Sequence, residues 1–189
     1  MRFCRLLLIA FCFLALAIAA CSFHSKGQGT APESRFITET AKQAQAQFAL
    51  GRYKRALELY SNAFDKNYHP GLRRGYAKLG EQIKSTADTA YQSGNVAEAG
   101  VDYSILFDSG ITKRDFAETL SFDDDYLSRQ IKACSKVLME SGLMKYRAEK
   151  LDEAIAIWKK ALFFDPDNRN IKSAFETATE QLQHLKQIK

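Results

Sequence analysis

Hydrophobic positions along this chain fall into two regimes. From Leu6 to Ala20 they form an unbroken run, and after about Ser34 they recur every three to four residues, the period of a helix with one buried face. No stretch shows the strict apolar–polar alternation of a strand bounded by turn residues. The pattern predicts helices over Ser34–Ala49, Tyr53–Lys66 and Leu72–Gln92, then one ending near Asp108 and a short helical turn from the cap Thr112 to Glu118. Further helices are expected over Asp123–Ala148 and Leu151–Phe164, and from the cap Asn168 to about Gln187. Breakers separate them at Gly51, Asn67 to Gly71, Ser93-Gly94-Asn95, Ser109-Gly110 and Asp165-Pro166-Asp167. Asp123, Asp124 and Asp125 stand where the positive end of a helix dipole favours them. The expected class is all-α.

The first run has a different meaning. Its fifteen residues would reach only ~22 Å as a helix, short of a ~30 Å hydrocarbon core. Arg2 and Arg5 precede it and small residues end it, as in a secretory signal peptide. Ile18-Ala19-Ala20-Cys21 resembles the lipobox of bacterial lipoproteins. That resemblance implies removal of residues 1–20, acylation of Cys21 and a membrane anchor. Ser22, where an aspartate would resemble an inner-membrane retention signal, directs the expectation to the outer membrane, facing the periplasm. An ordinary signal peptide with a chance cysteine and an uncleaved anchor are the alternatives. Residues 21–33, rich in small, polar and breaker types, read as a flexible tether, and residues 34–189 as one helical domain.

Within that domain the helices pair. The second member of each pair carries an alanine followed four residues later by an aromatic: Ala56 and Tyr60, Ala99 and Tyr103, Ala154 and Trp158. Each alanine lies five residues after a turn. Ala63 and Ala161 follow in register, Leu106 stands at that place in the middle pair, and Gly142 precedes Ala154 by twelve residues. These residues resemble the tetratricopeptide repeat, a helix–turn–helix unit of about 34 residues. The resemblance implies about three irregular pairs plus a C-terminal capping helix carrying Ile171, Ala174, Phe175, Ala178, Leu182 and Leu185. The alanines are 43 and 55 residues apart, so looser or differently angled stacking is expected, with the Asp108–Phe122 segment as an insertion.

Composition narrows the chemistry. Of 189 residues, 46% are hydrophobic and 26% charged, which suits a single globular core. The net charge of +5 falls to +3 without the signal, too mild to argue for nucleic acid. After loss of Cys4 and Cys12 and acylation of Cys21, Cys134 is left unpaired in an apolar helical pattern, as an inert buried thiol. His24, His69 and His184 have no ligand-type residue at metal spacing, and no nucleophile elbow, phosphate loop or zinc-protease motif occurs. No catalytic residue, metal or cofactor is therefore expected.

In the resembled repeat, side chains of each first helix line a peptide-binding groove. Carried over by position, these are Phe48 in the first pair, Lys84 and Tyr91 in the second, and Met139, Tyr146 and Arg147 in the third. The three aromatics stand three residues before each turn. They would serve as groove anchors or pack on the neighbouring helix. The implied function is a lipid-anchored scaffold or adaptor for protein partners in the cell envelope. An envelope hydrolase or transferase with an unrecognised site and a purely structural tether are the alternatives.

Overall fold

The computed structural model describes residues 31–187; the signal segment, Cys21 and most of the tether lie outside them. Seven α-helices follow one another: α1 (Ala31–Ala49), α2 (Tyr53–Lys66), α3 (Pro70–Gln92), α4 (Val96–Asp108), α5 (Asp124–Arg147), α6 (Leu151–Phe164) and α7 (Arg169–Gln187). No strand occurs among the described residues.

Local chemistry explains most boundaries. α1 starts three residues before the expected Ser34, so the last residues assigned to the tether are helical. Pro32 sits in the first turn, where no backbone donor is needed, and Glu33 faces the positive helix end. The breaker cluster before α3 is its cap: His69 Nδ1 accepts from the Gly71 N–H at 2.9 Å and Pro70 opens the helix. Asp123 caps α5 by accepting from the Tyr126 N–H at 2.6 Å. Asn168 accepts from the Ile171 N–H at 3.3 Å at the start of α7.

The hairpins α1–α2, α3–α4 and α5–α6 turn in the same way. Gly51, Gly94 and Glu149 have φ of 70°, 85° and 61°, the left-handed conformation that ends a helix. Their N–H groups donate to the carbonyls of Phe48, Tyr91 and Tyr146 at 2.9, 3.1 and 3.0 Å. The next N–H groups, of Arg52, Asn95 and Lys150, donate to Gln47, Ala90 and Lys145 at 2.9, 2.8 and 3.0 Å. Beyond each turn Ala56, Ala99 and Ala154 are fully buried. Twelve residues before them stand Ala44, Ala87 and Gly142, all buried, so each hairpin carries a buried small residue on both of its helices. At Gly142 the approach is so tight that a Cβ would overlap the Trp158 indole.

Each helix from α2 to α7 packs on the next, and α4 also touches both α2 and α6. Tyr60 of α2 lies over Gly75 of α3, and Phe164 of α6 over Gly100 of α4. Burial of each such side chain contributes roughly 1.5–3 kcal/mol, and that face could not be buried by one hairpin alone. Cys134 is buried in this core, and burial pushes its thiol up to about 11.

The segment between α4 and α5 differs from expectation. It forms two separate 3-10 turns, Ile111–Lys113 and Ala117–Thr119, and the Thr112 hydroxyl donates to Asp124 instead of capping a turn. Ile111, Phe116 and Phe122 are buried. Phe116 packs edge-on against Tyr76 and Phe64, with ring centroids 5.4 and 5.8 Å apart. Arg114 donates to Asp65 at 2.7 Å and to Ser61 at 2.6 Å. The inserted residues are a wedge against α2 and α3. Leu185, expected on the buried stripe of α7, is exposed, while Ile171 and Ala178 are buried.

Candidate functional site

The expected groove residues lie toward the C-terminal ends of α1, α3 and α5, where the hairpins turn. Phe48, Tyr91, Met139 and Tyr146 are half-buried and pack against the core. The Phe48 ring lies 5.2 Å from that of Tyr53 across its turn, and the Tyr146 ring 6.1 Å from that of Trp158. The Tyr146 hydroxyl donates to Gln181 at 2.8 Å, tying α5 to α7. Trp158 donates to the Met139 carbonyl at 3.3 Å. Arg147 is exposed in the last turn of α5, where a cation suits the helix dipole. Each aromatic therefore has one side on the core and one toward solvent.

Lys84 is placed differently. Its ammonium lies 2.8 Å from Asp88 Oδ2 and 5.0 Å from the centre of the Tyr126 ring. Asp88 Oδ1 also accepts from the hydroxyls of Tyr103 at 2.6 Å and Tyr126 at 2.8 Å. Burial works against the Asp88 charge, but the hydrogen bonds from Lys84, Tyr103 and Tyr126 outweigh it and hold the carboxyl below its ordinary range. The bond to Asp88 likewise raises Lys84. Burial and then Asp88 raise both phenols. This cluster joins α3, α4 and α5 and satisfies its own charges.

Two groups missed in the sequence carry unsatisfied polarity. Asp102 on α4 is 4% exposed and its Oδ2 has no hydrogen-bond partner. Burial, with the nearby Glu98 charge, pushes its carboxyl up to about 7. The Tyr76 hydroxyl is buried without a hydrogen-bond partner. Tyr76 lines a cavity of about 280 Å³ among α2, α3 and α4, together with Leu57, Ser61 and Ile105. The only sequence signal for Asp102 is its place three residues after Ala99, on the face that must be buried.

A second cavity, of about 320 Å³, lies among the C-terminal ends of α4 and α6 and the first half of α5. Phe107 and Phe163 both line it, and they are 37% and 75% exposed. Among the described residues no three His, Cys, Asp or Glu side chains are grouped to hold a metal ion, and no helix is long and apolar enough to cross a membrane. Comparison of the chain with family models, curated proteins and solved structures returns no match.

Proposed function

We propose that this protein is a lipid-anchored docking scaffold of the bacterial envelope, built on tetratricopeptide-like repeats and held through Cys21 on the periplasmic face of the outer membrane. One observation carries the repeat reading: three hairpins share the same turn bonds, the same pair of small residues and an aromatic at the same place. That recurrence supports a repeated unit over an unrelated helical bundle with coincidental alanines. The anchor rests on the Ile18-Ala19-Ala20-Cys21 motif behind a short apolar run. Several acyl chains hold a protein on a bilayer stably where one chain does so only marginally. A half-buried aromatic with one free side makes a suitable anchor for a partner segment, because its rotamer is already fixed by packing.

Metabolic labelling of the full chain with an alkyne fatty acid tests the anchor. The parent should take up label and fractionate with outer membrane, and Cys21→Ser should do neither. Label retained by Cys21→Ser would refute it. For docking, a photo-crosslinking residue at exposed position 147 should trap a defined envelope protein, whereas one at exposed position 42 on α1 should not. Equal trapping at both positions would refute a groove.

A further inference from the structure

The groove between α4, α5 and α6 is not part of the first-helix row, and its composition is unusual for a free surface. Large aromatics are normally covered, and clustered exposure marks a contact surface. Here Phe163, 75% exposed, and Phe107, 37% exposed, line one cavity of about 320 Å³ with Ile131.

Its walls are fixed in place. Phe164 is locked over Gly100, where a Cβ would meet the ring at 2.5 Å. The Asp165 carboxylate accepts from the buried Ser135 hydroxyl at 2.6 Å and from Asn168 at 2.9 Å, clamping the α6–α7 turn onto α5. Pro166 adds a fixed φ to that turn. A surface already held in its bound shape loses less freedom on binding.

The charge around it selects the partner. With Asp165 committed, the Asp108 and Asp167 carboxylates line the groove with no hydrogen bond or ion pair to another described side chain, and Lys132 is the one cation in the lining. Two acids beside two phenylalanines repel an anionic bilayer surface and favour a cationic chain with apolar side chains.

We infer that this groove docks a basic, apolar segment of a partner protein. The inference rests on the docking-scaffold reading and supplies the partner's chemistry. Its occupant places aliphatic side chains against Phe107 and Phe163, and lysine or arginine against Asp108 and Asp167.

Fluorescence anisotropy of the full chain in detergent tests this with three labelled peptides. One alternates leucine with arginine, one alternates leucine with glutamate, and one carries the same arginines among serines. The leucine–arginine peptide should bind at least about tenfold more tightly than either of the others. Phe163→Ser should lose about tenfold or more of that affinity with an unchanged thermal melt, which its exposure makes safe. Asp108→Lys combined with Asp167→Lys should move the preference to the glutamate peptide. Binding indifferent to Phe163→Ser, or equal binding of the basic and acidic peptides, overturns the inference. So does Phe163→Ser weakening adhesion to vesicles containing phosphatidylglycerol while peptide binding stays intact. If peptide affinity falls only on Arg147→Ala, the docking reading survives and this groove fails. If none of the three peptides binds, the groove proposal fails while Cys21 labelling still judges the anchor.

Discussion

Asp102 shares the inward face of α4 with Ala99, Tyr103 and Leu106, so a carboxylate stands where the helix must be apolar. Folded, it titrates at about 7, above its ordinary value of 3.8, because burial and Glu98 disfavour the charge. The native state therefore holds this proton more tightly than the unfolded chain. Its stabilising effect is full below the unfolded value and is lost as pH rises through about 7. Asp102→Asn keeps the shape without the charge. Its unfolding free energy in urea titrations should match the parent's near pH 4 and exceed it near pH 8, by a margin on the order of 1–3 kcal/mol. Equal margins at both pH values would mean that Asp102 is not buried as a charge. Asp88 behaves oppositely, since its bonded carboxylate stabilises the fold above the carboxylate range and loses that effect in acid. Comparing variant with parent cancels its contribution.

At the scale of the helix, the three hairpin turns are one device made from different residues. Two use glycine in the left-handed conformation, while the third places Glu149 there at φ 61°. A side chain in that conformation costs roughly 1–2 kcal/mol, which glycine does not incur. Glu149→Gly should thus stabilise the protein by ~1 kcal/mol, and Gly94→Ala, at φ 85°, should destabilise it by about as much. Chemical denaturation would read both, and a destabilised Glu149→Gly would show that the glutamate side chain holds the turn in some other way. The same turns explain why Phe48, Tyr91 and Tyr146 correspond. Their carbonyls accept the first turn bond, so each aromatic is held at a fixed offset from its alanine. A paired register of this kind is legible in a chain, because both members lie within one hairpin.

Over the whole molecule, α7 packs on α6 and is bonded to α5. Ile171 and Ala178 are buried, and Tyr146 and Gln181 bond across to it. Ending the chain at Asp167 should remove more helical circular dichroism than the 19 residues of α7 account for, because α6 loses its cover. Trimming only residues 183–189 should change the unfolding free energy by less than ~0.5 kcal/mol, because Leu185 is exposed. A helical loss limited to α7 itself would mean that the stack ends at α6. The wedge between α4 and α5 works at the same scale. Ile111 fills the space that Gly80 leaves open, and Arg114 reaches α2 from about fifty residues away.

What the chain determined unaided was most of what neighbours a few turns away govern, although Thr112 bonds to Asp124 instead of capping a turn. Helical periodicity, caps at Asp123 and Asn168, the three turns and their alanines all follow from short-range sterics and backbone hydrogen bonding. Ala44 and Ala87 stand at the same offset, twelve residues before Ala56 and Ala99, but an alanine marks a close helix approach less plainly than the glycine at 142. Tertiary structure decided what depends on distant partners. Ile105-Leu106-Phe107 and Leu162-Phe163-Phe164 are both apolar runs, and nothing local says that Phe107 and Phe163 stay uncovered while Leu106 and Phe164 are buried. The Asp88 cluster draws on three helices, and the segment between α4 and α5 is a wedge only because α2 and α3 lie beside it. Burial and pairing across the stack are properties of the assembled neighbours, and spacing along one helix does not encode which neighbour arrives.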